Sequence, residues 1–221
     1  MKVLFVGLAR VIWLFDLAAL NPLGISLQAP IEGITKKYQF AKAPQNLLDL
    51  TEKKGLTFAA GTFQNSKSVP VLVSLNIYTD GFVVDTMSST DDSTAFLTEL
   101  IGWLSKEFGL QIPNNIRKGF VSQIDFECDT SMNRLNPKLD LFIKQIESLA
   151  RPADEKTRRF DVGGLSFWTE DVNNPGAPAI VKFERKISTP FSANHYFSQA
   201  PVETEVHKRL LNEFELLLKS S

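Results

Sequence analysis

The stretch Val69–Gly109 limits the fold more than any other, because strand, turn, cap and helix signals follow one another in it without a gap. From Val71 to Tyr78, the residues Val71, Val73, Leu75 and Ile77 alternate with Leu72, Ser74, Asn76 and Tyr78. A period of two lays one aliphatic row against a core and leaves a mixed row on the other face. Asp80-Gly81 separates this run from Phe82–Thr86 and tolerates the positive φ that a type I′ turn requires at both central positions, so a hairpin is predicted there. Ser88 to Asp92 then supplies oxygens for the orphan N–H groups of a helix start, and capping accounts for the Asp91-Asp92 pair better than a metal dyad does. Leu97, Leu100, Ile101, Leu104 and Phe108 recur at spacings of three and four, widened by Phe96 and Trp103, which predicts a helix from about 92 to 108. Gly109 is its stop.

Around this stretch the pattern repeats in outline. Leu56–Gln64 reads as a strand whose Gly61 admits a bulge, so three antiparallel strands at about 56–64, 70–78 and 82–88 are expected beneath the helix. Gly119–Cys128 is a further strand, with Phe120, Ile124, Phe126 and Cys128 on one side and Val121, Gln123, Asp125 and Glu127 on the other. Asn136-Pro137 opens a helix striped by Leu139, Phe142, Ile143 and Ile146. Strand signals follow at Phe160–Glu170, Ala179–Ile187 and His195–Phe197, linked by a charged connector at 153–159 and a turn at 173–178. The last helix runs from Pro201 to about Lys219, with Val206, Leu210, Phe214 and Leu217 as its inner stripe and Leu211 and Leu218 alongside. The fold class expected is α+β: antiparallel sheet built from meander hairpins, with long amphipathic helices on one face. Strands followed by a polar cap and a long helix occur twice, which suggests two related halves. The expected division is an apolar segment at 1–50 integrated with the core, a meander plus helix at 51–115, and a second α+β half at 116–221 sharing the same compact domain.

Charge and cysteine usage exclude several classes. The chain has 24 basic and 25 acidic residues, so no overall positive field attracts a phosphate backbone, and nucleic acid is not an expected partner. Cys128 stands alone, which rules out an intrachain disulfide or a cysteine cluster for zinc and fits a cytoplasmic setting. The opening MKVLFVG resembles the first strand of a dinucleotide-binding unit, but LARVIWLFD follows in place of a glycine-rich turn. No cofactor is expected. Val3–Leu20 is apolar enough to raise a membrane span or signal segment, yet Arg10 and Asp16 interrupt it and no small-residue cleavage site follows. A buried structural segment is the expectation, and membrane anchoring through residues 3–20 the rival.

No arranged set of catalytic groups stands out. His207 lies beside Lys208 and Arg209 on the last helix and is expected to face solvent. His195, in a polar loop near aromatics, is the better candidate base, with no GxSxG elbow or Cys–His motif beside it. Cys128 ends an apolar strand face and reads as a small buried side chain. Asp125, Glu127 and Asp129 share one strand face, a geometry suited to a hard cation or an acid/base pair, with charge pairing to Lys182 and Lys186 as the plainer account. Lys156, Arg158 and Arg159 read as a solvated run. Seventeen phenylalanines against three tyrosines bring much apolar area with no polar atom to satisfy. The leading expectation is therefore a non-enzymatic interaction or assembly subunit, joined to itself or to other proteins through Leu4, Phe5, Val11, Ile12, Trp13, Leu14 and Phe15. The alternative is a small-molecule binder or enzyme with a pocket near His195, Asp125 and Glu127.

Overall fold

A computed structural model describes residues 1–45, 50, 54–150, 159–170 and 180–220. Helices and strands are mixed, with antiparallel sheet plus helices. The chain forms two compact units, the first Val6–Ser122 with Pro201–Thr204, the second Met1–Phe5 with Gln123–Ala200 and Glu205–Ser221. Strand β1 (Lys2–Leu14) and strand β5 (Arg117–Glu127) each contribute residues to both.

The first unit adds a short helix α1 (Leu17–Leu20), α2 (Gln28–Lys37), strands β2 (Leu56–Gln64), β3 (Pro70–Tyr78) and β4 (Gly81–Thr86), and the long helix α3 (Thr90–Phe108). Its strands run in the order β2-β3-β4-β1. Period two is plain in β3, where Val71, Val73, Leu75 and Ile77 are buried, and these meet Leu97, Leu100, Ile101 and Leu104 of α3 in one core. Ser89 caps α3, its Oγ accepting from Asp92 N at 3.1 Å, and Gly109 ends it at φ +68°. Ile31 and Ile34 bring α2 into the same core.

The hairpin between β3 and β4 is one residue out from the predicted one. Tyr78 pairs with Gly81, so the two-residue loop is Thr79-Asp80, and neither takes a positive φ. Gly81 instead opens β4 at φ +148°, opposite Leu14 of β1. The expected type I′ geometry is displaced because the glycine is needed inside the sheet, where a Cβ would lie 2.1 Å from the Trp13 carbonyl oxygen.

The apolar N-terminal segment is a strand, and among the described residues no helix is long and apolar enough to cross a membrane. Alternation decides the fate of its residues: Val11, Trp13 and, just beyond the strand, Phe15 are buried in the first unit's core, while Ile12 and Leu14 are half-buried on the other row. Arg10 is accommodated on that same row by Asp85, its cross-strand partner, in a two-pronged contact of 2.7 and 2.8 Å.

In the second unit β5 is followed by a 3-10 turn (Met132–Leu135), α4 (Lys138–Leu149), strands β6 (Gly164–Phe167), β7 (Val181–Arg185) and β8 (His195–Ala200), and α5 (Thr204–Ser220). The strand order is β5-β8-β7-β6. Its core holds Ile124, Phe126, Met132, Phe183, Tyr196, Leu211, Phe214 and Leu218, with the rings of Phe183 and Phe214 stacked at 4.3 Å. The strands at 164–167 and 181–185 are shorter than the sequence signals suggested, and most of the connector at 153–159 and all of the turn at 173–178 lie outside the described residues.

Two helices depart from the expected faces. On α5 the buried positions are Thr204, His207, Leu211, Phe214, Glu215 and Leu218, while Leu210 and Leu217 are exposed. The stripe is rotated toward Leu211 and Leu218, and His207, read from sequence as a surface residue, shares the buried row, where it meets Ser198 at 2.8 Å. Of the stripe expected on α4, Leu139, Ile143 and Ile146 are half-buried and Phe142 is exposed, and no residue of this helix is fully buried.

Candidate functional site

The row of β5 that faces away from the core carries Gln123, Asp125 and Glu127, because Ser122, Ile124 and Phe126 take the buried row. On β8 the same alternation buries Tyr196, Ser198 and Ala200 and leaves His195, Phe197 and Gln199 together, and on β7 it leaves Lys182 and Glu184. All belong to the second unit. Gln123 Nε2 donates to Gln199 Oε1 at 2.9 Å, which fixes β5 against β8 at this row.

Asp125 is 3% exposed although it lies on the row opposite the core. Lys186 Nζ approaches its Oδ2 to 2.6 Å, and His195 Nε2 lies 3.8 Å from the same oxygen. The Lys186 contact is an ion pair without the direction of a hydrogen bond, so Asp125 Oδ2 and His195 Nε2 are both buried and both lack a hydrogen-bond partner. The Lys186 ammonium is 5.9 Å from the ring centres of Phe5 and of Phe197, within cation–π range of both. Phe5 remains half exposed. Sequence reasoning named His195 and Asp125, and the structure brings them together. Glu127 stands apart from them in its pairing, with Lys2 at 3.8 Å. Of the apolar candidates, Val11, Trp13 and Phe15 are enclosed, Leu4, Ile12 and Leu14 half-buried, and Phe5 open.

The remaining reactive side chains are quiet. Burial, with Glu215 nearby, pushes the Cys128 thiol up to about 12, so at neutral pH it is not a thiolate. Among the described residues, no three of His, Cys, Asp and Glu converge on a common point for a metal ion. Sequence gave no sign of the buried Arg185–Asp161 pair at 2.9 Å, whose guanidinium also donates to the Phe191 carbonyl at 2.8 Å and lies over the Phe191 and Tyr196 rings. An isolated Asp-Val-Gly-Gly run at 161–164 carries no pairing signal of its own.

No protein-family model and no curated protein matches this chain. Among solved structures, TBP of Methanococcus jannaschii aligns with 15% identity and a TM-score of 0.45, over 100% of this chain and 98% of that one. A likeness of that size says nothing about chemistry.

Proposed function

We propose that this chain is a non-enzymatic assembly subunit, and that it joins a partner protein through the outer face of α4. The observation that carries the reading is an apolar flank of α4 left open beside a stripe, Leu139, Ile143 and Ile146, that is only half-buried. Asp140, Lys144 and Glu147 line a cleft of the second unit, while Leu141, Phe142 and Leu149 are 65%, 58% and 81% exposed. A helix of this length gains most of its stability from burying its apolar face, so such a face left in water is an unfinished contact.

The element order strengthens this. Strand, helix, three strands and long helix occur twice, as β1, α2, β2-β3-β4, α3 and as β5, α4, β6-β7-β8, α5. We read these as two related halves, in which α2 and α4 are counterparts. α2 fully buries Pro30, Ile31 and Ile34, whereas α4 only half-buries Leu139, Ile143 and Ile146 and leaves Leu141, Phe142 and Leu149 in the open. On this reading the counterpart's cover is supplied by another chain, in the simplest case a second copy. A cytoplasmic setting, suited to the lone Cys128, belongs to the same proposal.

Light scattering behind size exclusion tests it. Wild-type protein at tens of micromolar should elute as a multiple of the chain mass, and a Leu141→Glu, Phe142→Glu double variant as a monomer with unchanged far-UV circular dichroism. A wild-type monomer that binds no more apolar dye than the variant would remove the proposal.

A second reading rests on the Asp125–His195 approach: His195 Nε2, buried without a hydrogen-bond partner, lies 3.8 Å from Asp125 Oδ2, which is held only by its ion pair with Lys186, and the two suit a small molecule that hydrogen-bonds to both. A thermal-shift screen of polar metabolites should then yield a ligand that raises the midpoint of wild type and not of Asp125→Asn or His195→Phe. Equal shifts in all three proteins would place the ligand elsewhere.

A further inference from the structure

An open cleft of about 570 Å3 lies in the second unit among α4, the 3-10 turn and the residues around Asp161 and Ser192, and neither Asp125, Glu127 nor His195 lines it. Three features of its wall bear on a ligand. First, Asp140, Lys144 and Glu147 follow one another along α4 at about one helical turn, so acceptor, donor and acceptor alternate. Arg159 adds a second cation, and Asp161 is already engaged by Arg185, so the remaining two cations and two carboxylates cancel. Second, the rings of Phe160 and Phe191 line the cleft and stay 38% and 42% exposed, offering apolar faces. Third, Asn133 lines it too, and its Oδ1 is buried with no hydrogen-bond partner, a position that calls for a donor from outside the chain.

We propose that this cleft binds a neutral polyhydroxylated ligand, a mono- or oligosaccharide. A net-charged ligand would meet no matching field here. A sugar hydroxyl both donates and accepts, which suits a wall of alternating sign and supplies the donor that Asn133 Oδ1 lacks. The C–H faces of a sugar ring match the two phenylalanine rings, in the mixed apolar and polar manner of small-molecule sites. From α4 the cleft takes Asp140, Ile143, Lys144 and Glu147 and none of Leu141, Phe142 and Leu149, so it is independent of whatever covers those three.

Saturation-transfer NMR on the full chain tests this with glucose, maltotriose and chitotriose as sugar probes, inorganic phosphate as a net-charged probe and glycylglycine as a zwitterionic one. Transfer to sugar ring protons is expected, together with shifts of the Asn133 and Phe160 amides. Asn133→Leu and Arg159→Ala should each weaken sugar binding by about tenfold or more, as loss of one hydrogen bond to a polar or charged group requires. Arg159 is exposed, so its variant reports on binding even if the Asn133 variant is misfolded. Absence of transfer from all three sugars at tens of millimolar would overturn the proposal. So would sugar binding unchanged in the Arg159 variant, or movement of the Asn133 amide by phosphate or glycylglycine and not by sugars.

Discussion

Gly81→Val is expected to destabilise the first unit by about 4 kcal/mol, enough to leave a marginally stable domain largely unfolded. Two independent effects add at this position. A backbone at φ +148° is open to glycine and strained for a β-branched residue, at roughly 1–3 kcal/mol. A Cβ at 2.1 Å from the Trp13 carbonyl and 3.0 Å from Leu14 Cα must also push β1 away from β4, with an overpacking cost of similar size. Because the obstructing atoms are backbone, no rotamer change relieves the clash. Gly102→Ala on α3 provides the contrast: nothing lies within 4 Å of its added methyl, and the exchange should stabilise by about 0.5–1 kcal/mol. Urea unfolding of both variants beside wild type measures the pair. A Gly81→Val protein as stable as wild type would mean that β1 and β4 do not pair as described.

Acidification from about pH 6.5 to pH 4 should remove roughly 3 kcal/mol of stability through His207 alone. This residue is fully buried, and burial pushes its pKa down from the usual 6.5 to about 4. Ser198 Oγ donates its only proton to the Lys182 carbonyl at 2.8 Å, so it accepts from His207 Nε2–H, which fixes the neutral tautomer. The sign follows from proton counts. Above about pH 6.5 neither the folded nor the unfolded imidazole is charged, and His207 adds no pH dependence. Between 6.5 and 4 the unfolded chain binds a proton that the folded chain refuses, so stability falls with pH by up to about 1.4 kcal/mol per unit. Below about 4 both forms are charged and the loss is complete. His207→Gln can still donate to Ser198 and does not titrate. The stability difference between wild type and this variant should therefore move against wild type by roughly 3 kcal/mol from pH 7 to pH 4, and subtraction cancels the acid sensitivity contributed by Glu215, whose carboxyl is held low by the N-terminal ammonium and the Asp129 amide. A difference that stays flat across this range would mean that His207 is hydrated in the folded protein.

Local signals carried the first unit far. The spans of β2 and β3 follow the alternation of their own residues, and the Ser89 cap and the Gly109 stop are set by contacts within a few residues, which is why a single sequence displays them. The same reasoning misplaced the hairpin loop by one residue. The demand on Gly81 comes from Trp13, sixty-eight positions earlier, and no local rule contains it. The candidate site was half legible. Alternation along β5 and β8 marks Asp125 and His195 as sharing the row opposite the core. That they approach to 3.8 Å depends on β5 lying beside β8, an adjacency decided by the whole strand order. The cleft bounded by α4 was invisible for the same reason, since its walls come from four separate segments.

What the sequence determined by itself is periodicity: which residues alternate, which recur by three and four, and where caps and glycines end a run. These depend on backbone geometry that every residue shares with its near neighbours. What only the tertiary structure decided is which apolar row finds cover. Val11, Trp13 and Phe15 looked like a contact surface and became core, because β1 has a neighbouring strand and a helix-covered face. Phe142 looked like core and is exposed, while Leu139, Ile143 and Ile146 of the same stripe are half-buried, because the cover on α4 reaches only part of its apolar face. Burial is a property of pairs of surfaces, and a pattern along one chain specifies only one member of each pair.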